Sequence, residues 1–307
     1  WIISYAAVHK AGAVAVPTNT RFTPEELATV LGHAEPVSVI TSAELAGNLD
    51  PVRQQLPSVT TVVEVDAGGL EAAMSEDDSP FQEQVGEDDL ADIMYTSGTT
   101  GLPKGIAVRH ANLHILPNGE PEWTGAEWIH SSPLFTFAGI SFIYNPMKMG
   151  MACNYMPRFD AERWLDTVEQ RRPTMAFLVP AMAQLIATSD RFEEADLSSL
   201  EMVAIGSAPL PASLHRRLAH RLPEATVSNN YSLTEAGTAF AFLPREELDR
   251  RAGSVGIPIG TEVRIVDPVG SHAGADDSGG DPEPLPPGEI GEVMIHVRSE
   301  EHTSELQ

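Results

Sequence analysis

Lysine is almost missing from this 307-residue chain: Lys10, Lys104 and Lys148 are the only three. Acids outnumber bases so heavily that the formal net charge is −25. Such a surface repels phosphate backbones, which excludes nucleic acid and anionic membranes as partners. An anionic small molecule would need a local cation, and few are on offer. Cysteine is nearly absent too. Cys153 stands alone in the apolar run Met151 to Met156, so no internal disulfide can form and a reducing cytoplasm is the expected compartment. Its surroundings point to a core thiol rather than a nucleophile. No apolar stretch is long enough for a transmembrane segment. The first one, Trp1 to Val16, is interrupted by His9 and Lys10 and lacks the order of a signal peptide. The chain opens without Met, on what reads as the last turns of an amphipathic helix, and is expected to start inside a domain.

What is present is an alternation. Val14 to Val16 reads as a short strand. Thr23-Pro24-Glu25-Glu26 then opens a helix with an N-cap, a proline in the first turn and a capping-box glutamate. Val37 to Ile40 and Thr61 to Val65 are further strands. From Asp66 to Asp89 there are nine acids and no Lys or Arg, the pattern of a solvated connector. Strands are expected at Met175–Leu178, Met202–Ile205 and Ala225–Asn229. Helices are expected after Asp160, Pro180 and Pro211. Strands alternating with such helices predict an α/β fold with parallel sheets covered on both faces. Glu262 to Asp267 and Glu289 to Val297 read instead as an antiparallel pair joined by the Gly- and Pro-rich stretch Pro268 to Gly288.

The most informative stretch is Tyr95-Thr96-Ser97-Gly98-Thr99-Thr100-Gly101-Leu102-Pro103-Lys104-Gly105. Glycines let backbone N–H groups approach an anion with no Cβ in the way. Hydroxyls add donors, and Lys104 supplies a point charge. The spacing is not that of a Walker A loop. Asp92 to Tyr95 reads as a strand entering the loop, and Ile106 to Val108 as one leaving it. A ligand-free surface loop is the bland alternative. This run resembles the signature phosphate loop of the adenylate-forming enzymes: acyl-CoA synthetases, luciferases and peptide-synthetase adenylation domains. It matches that signature from Tyr95 to Gly105.

Three further segments stand in that family's order. Gly206-Ser207-Ala208-Pro209-Leu210 resembles the turn that lies along the adenine and borders the acyl pocket. Asn229-Asn230-Tyr231-Ser232-Leu233-Thr234-Glu235 resembles the adenine and metal motif. There the resemblance gives Tyr231 the adenine stack, Thr234 a hydrogen bond to the α-phosphate, and Glu235 the Mg²⁺. The chemistry fits, because Mg²⁺ takes hard oxygen ligands and an aromatic face suits a purine. Ser232 stands where the family usually has glycine. Gly253 to Pro258 matches a landmark with no catalytic role.

By the same resemblance the ATP-binding set is Thr96, Ser97, Gly98, Thr99, Thr100, Gly101, Lys104, Gly206 to Pro209, Asn229 to Ser232 and Thr234. Lys104, Thr234 and Glu235 are the catalytic candidates. Phe135, Thr136, Phe137 and Gly206 are the acyl-pocket candidates. Thr136 takes the place of a common histidine. It also takes the place of the aspartate that pairs with an amino acid's ammonium group. With Phe135, Phe137, Ile140 and Phe142 around it, a fatty or other apolar acid fits better than an amino acid, although the same residues serve equally as ordinary core.

The resemblance implies activation of a carboxylic acid by ATP to an acyl-adenylate, followed by transfer to coenzyme A. Loading of a carrier protein and nucleotide binding without turnover are the alternatives. The implied layout is a large domain over residues 1–297, incomplete at both ends. Its acidic connector lies near residues 66–90, and a smaller antiparallel β subdomain starts near residue 260. The C-terminal domain with the catalytic lysine and the ribose-binding aspartate are expected to lie beyond this chain. The chain alone is therefore expected to be inactive. Arg298 to Gln307 is expected to be a non-native tail, since it reads like translated adapter sequence.

Overall fold

A computed structural model describes residues 1–66, 68–77, 79, 81, 83–97, 103–113, 121–234, 240–243, 247–259, 262–267 and 283–296. The chain falls into two compact units, one comprising Trp1–His114 with Leu134–Phe137, the other Ile115–Pro133 with Ala138–Glu301.

The first unit begins with α1 (Ile2–Lys10). Tyr5 on this helix donates its hydroxyl to Asp92 at 2.7 Å, and His9 Nε2 lies 3.2 Å from the other carboxylate oxygen. Asp92 is fully buried, and these partners offset the cost of placing a carboxylate there. Helix α2 (Pro24–Ala34) starts with the expected capping box, Thr23 accepting from the Glu26 amide and Glu26 accepting from the Thr23 amide. Strand β1 (Ser38–Thr41) pairs in parallel with β2 (Thr61–Glu64). Helix α3 (Ala43–Leu49) and a 3₁₀ turn, Asp50–Gln55, lie between them in sequence. Leu31, Leu49, Val52, Leu56 and Val59 form the local core.

Two expectations change here. Val14 to Val16 is no strand but a single bridge, Ala15 to Asp92, and Pro17 follows with no N–H to continue a ladder. The acidic connector contains a one-turn helix, α4 (Gly69–Ala73), built on Leu70, Glu71, Ala72 and Ala73. These residues favour helix whatever the charge around them. The unit then forms an antiparallel hairpin of β3 (Leu90–Ser97) and β4 (Pro103–Arg109), followed by α5 (His110–Leu113).

The second unit holds a five-stranded parallel sheet. In chain order its elements are β5 (Glu127–His130), α6 (Phe137–Lys148), β6 (Ala152–Tyr155), α7 (Ala161–Arg171) and β7 (Met175–Leu178). They continue with α8 (Pro180–Thr188), β8 (Met202–Ile205), α9 (Ala212–Arg221) and β9 (Thr226–Asn229). The spatial order is β6-β5-β7-β8-β9. Alternate side chains leave a strand on opposite faces, and two cores result. Ile129, Ala176, Leu178, Val203, Ile205 and Val227 pack with α7, α8 and α9. Trp128, Phe177 and Ala204 pack with Phe142 of α6. Each fully buried Leu, Ile or Val contributes roughly 1.5–3 kcal/mol, so the first face dominates the unit's stability. The caps agree with the sequence: Asp160 accepts from the Arg163 amide at 2.8 Å, and Pro180 sits in the first turn of α8.

Beyond the sheet, β10 (Phe240–Phe242) pairs antiparallel with β11 (Ile257–Ile259), and α10 (Leu248–Arg251) lies between them in sequence. Strands β12 (Glu262–Val266) and β13 (Glu292–His296) form the expected antiparallel pair. Among the described residues no helix is long and apolar enough to cross a membrane.

Candidate functional site

In the first unit the β3–β4 hairpin presents the predicted phosphate loop. Thr96 is the cross-strand partner of Lys104, Tyr95 of Gly105, and Ser97 of Pro103. Gly98, Thr99, Thr100 and Gly101 lie outside the described residues, as does the Ser97 side chain. Lys104 is exposed and Thr96 half-buried. The last ladder pair therefore stands immediately beside the Gly/Thr stretch.

Gly105 is required by packing. A Cβ there would meet the Tyr95 ring at 3.3 Å and Ile93 at 3.2 Å, so the ring lies across the strand over the glycine. Tyr95 is in turn held by His33 of α2, whose Nδ1 lies 2.6 Å from the phenolic oxygen. The two rings meet edge-on at 5.8 Å. Burial pushes the Tyr95 phenol up to about 12, so at neutral pH it keeps its proton.

In the second unit the functional candidates gather where parallel strands end. The chain leaves β5 for β6 on one side, then returns past it to β7 on the other. That reversal makes a topological switch point at the carboxyl ends of β5 and β7, where open α/β sheets bind ligands. Two neighbouring strands, β8 and β9, carry the predicted turns. Gly206 follows β8, and a Cβ on it would meet the Asn230 carbonyl at 3.0 Å and the Phe177 ring at 3.4 Å. The two predicted motifs, Gly206 to Pro209 and Asn229 to Thr234, thus meet at backbone distance. The Asn230 amide also donates to the Ile205 carbonyl at 2.7 Å, extending the ladder one residue beyond β9.

Ser207 is exposed at φ 67, a left-handed conformation that costs a non-glycine residue of order 1 kcal/mol or more. Ala208 and Pro209 are exposed beside it. Asn229 is buried, and its amide donates to the Gly253 and Ser254 carbonyls, both at 3.1 Å. Its side chain therefore fastens the Gly253–Pro258 landmark under the turn. Sequence reasoning gave that landmark no role beyond its resemblance. Tyr231 and Thr234 are half-buried and Ser232 is exposed. Glu235, the predicted metal ligand, lies outside the described residues.

The acyl candidates stand at the start of α6. Phe137 is buried, while Phe135 and Thr136 are half-buried. Further along the helix, Phe142 meets the Phe177 ring at a tilt, 4.2 Å between centroids, and stacks on Trp128 at 5.4 Å. Cys153 donates its thiol to the Phe142 carbonyl at 3.3 Å, and burial pushes it up to about 12. It is a structural thiol, as expected. Two histidines that bear on these segments were not singled out from the sequence, His33 and His130. Neither lies in a motif, and only tertiary contact reveals them.

A five-stranded parallel sheet with a switch point defines the second unit as a doubly wound α/β fold. The chain belongs to the AMP-binding enzyme family, which matches residues 1–299. A feruloyl-CoA synthase from Amycolatopsis sp is 34% identical over 304 residues, covering 94% of this chain and 56% of that protein. The inhibitor-bound N-terminal domain of FACL13 from Mycobacterium tuberculosis superposes with a TM-score of 0.76 at 28% identity, over 87% of this chain and 68% of that one. ATP-bound MatB from Rhodopseudomonas palustris superposes with a TM-score of 0.76 at 26% identity, over 96% of this chain and 57% of that one. The chain spans about half the length of the curated relatives it matches.

Proposed function

We propose that the full-length protein is an ATP-dependent acid–thiol ligase. It joins an apolar carboxylic acid to coenzyme A through an acyl-adenylate. The observation that carries this reading is the hairpin register that sets Lys104 opposite Thr96 at the base of the Gly/Thr loop, in a chain with only three lysines. The family match and the CoA-ligase relatives support it.

In the first step a carboxylate oxygen attacks the α-phosphorus of ATP, and pyrophosphate leaves. In the second a thiolate attacks the acyl carbon and AMP leaves. Lys104, with the hydroxyls of Thr96, Ser97, Thr99 and Thr100, binds the β- and γ-phosphates. This neutralises charge that would otherwise face a strongly acidic protein. Tyr231 and the Gly206–Pro209 turn receive the adenine, Asn230 and Ser232 border it, and Asn229 holds that turn in place. Thr234 donates to the α-phosphate, where charge builds in the first step. Glu235 is the residue to hold Mg²⁺, which would draw charge from the phosphates when bound. Phe135, Thr136, Phe137 and Gly206 border the acid. Thr136 brings no charge there, which favours an acid without an ammonium group.

The test is pyrophosphate release by the full-length enzyme with ATP and a panel of fatty, aromatic and amino acids. Release with apolar acids, absent with amino acids, is expected. Release with amino acids alone would contradict the reading.

A further inference from the structure

On the side of the sheet that packs on α6, β5 carries two large rings with polar N–H groups. Trp128 and His130 point to the same face, two residues apart, and both are buried, His130 completely. Phe142 touches each of them, at ring distances of 5.4 Å from Trp128 and 5.7 Å from His130. Tyr155, the cross-strand partner of His130, lies 5.1 Å away ring to ring.

The tautomer of His130 follows from the hydrogen bond that its ring makes among the described residues. Its Nδ1 lies 3.3 Å from the Ser132 backbone N–H. A backbone N–H only donates, so Nδ1 must accept and carries no hydrogen. Burial also lowers the ring's affinity for a second proton. The ring is therefore neutral with its hydrogen on Nε2, and Nε2 has no partner among the described residues. Trp128 Nε1–H is in the same position.

Two buried N–H donors thus flank one phenylalanine ring, and neither has a hydrogen-bond partner among the described residues. A buried unpaired donor is destabilising, and native interiors hold few of them unless a ligand or water completes the bond. An ordered water needs two to four polar partners, whereas the ring neighbours of His130 are Phe142, edge-on, and Tyr155, tilted. His130 closes β5 at the switch point of the sheet. Its neighbour Phe142 packs on Phe177, whose ring also borders the acyl candidate Gly206.

We propose that His130 is a specificity-determining residue whose Nε2–H donates a hydrogen bond to an oxygen on the body of the acid. Trp128 Nε1–H serves as a second donor on the same wall. The proposal rests on the acid–thiol ligase reading and deepens it. The substrate class is a carboxylic acid with a flat apolar body, matched to the rings of Trp128, Phe142 and Phe177, that carries a hydroxyl or ether oxygen away from its carboxylate. A plain hydrocarbon acid leaves both donors unpaired. A site built to satisfy a polar group rejects the analogue that lacks it far more strongly than an apolar pocket rejects a size change.

The experiment compares ferulate with cinnamate, which lacks the ring oxygens, as substrates of the full-length enzyme. Pyrophosphate release gives kcat and KM for each, and thermal melting is followed on every variant. Wild type is expected to prefer ferulate. His130→Leu, close in size but with no N–H, should lower the ferulate-to-cinnamate ratio of kcat/KM by about tenfold or more, chiefly through KM. His130→Gln, which keeps a donor, should restore part of that ratio, and Trp128→Phe should lower it less than His130→Leu does. A loss of melting temperature with an unchanged ratio would make His130 a structural residue and overturn the proposal. A wild-type preference for cinnamate would overturn it as well. A wild type that releases no pyrophosphate with any acid would remove the ligase reading and this assignment with it.

Discussion

The β3–β4 hairpin and the strand ends of the parallel sheet carry functional candidates in opposite ways. The hairpin is a two-stranded antiparallel ladder whose chemistry sits in and beside its connection. Side chains steady its entry strand from outside, His33 at Tyr95 and Tyr5 and His9 at Asp92. The strand-end turns rise from a sheet buried on both faces, and several constraints fix them at once: the close approach at Gly206, the left-handed Ser207 and the two bonds of Asn229. On the proposed reading, one arrangement serves the triphosphate. The other suits a rigid purine, whose recognition depends on a platform held still before the ligand arrives.

That contrast predicts graded effects. Lys104→Ala should produce the greatest, a fall in kcat of about a hundredfold or more in pyrophosphate release by the full-length enzyme. Melting temperature should barely move, because Lys104 is exposed. A large stability loss would mean that the hairpin, too, is fixed by its functional residue.

Acid should act on the sheet unit through its buried histidines. Burial lowers His130 from 6.5 to about 4 and shifts His215 in the same direction. Both are lower folded than unfolded, so below pH 6.5 the unfolded chain binds the extra protons. The stability these neutral rings hold is complete above about pH 6.5 and is lost as pH falls toward 4. For His130 alone the loss is on the order of 3 kcal/mol. Urea midpoints between pH 7.5 and 4.5 should show the fall, and His130→Leu should flatten it.

Asn229→Ala removes both bonds to the Gly253 and Ser254 carbonyls. It should cost roughly 1–3 kcal/mol and raise the KM for ATP more than it lowers kcat. An unchanged KM would separate that fastening from the nucleotide. The smallest effect is expected for His33→Phe, about 0.5–1.5 kcal/mol, with a modest rise in KM for ATP.

Much of this was legible in the residues because the deciding interactions are local. The capping box at Thr23 and the Asp160 cap need only neighbours in sequence. The hairpin was legible because apolar strands flank a Gly/Thr stretch. The pair β12 and β13 was legible because each is a short β-branched run beside turn residues. Where tertiary contact decides, the sequence said less. Helix α6 was not marked as one, since Pro146 lies inside it and its aromatic residues have no helical bias. Val14 to Val16 looked like a strand, yet only Ala15 finds a partner. The roles of His33, His130 and Asn229 depend on partners 62, 2 and 24 or 25 residues away. For His130 the telling feature is a missing bond, which no sequence pattern displays.

The most direct measurement is equilibrium binding of ATP to the full-length enzyme, carried out in parallel on Lys104→Ala and Tyr231→Ala. If the hairpin and the strand-end turns serve one nucleotide, each substitution weakens ATP, and only Tyr231→Ala also weakens adenosine. ATP affinity untouched by either substitution would contradict it.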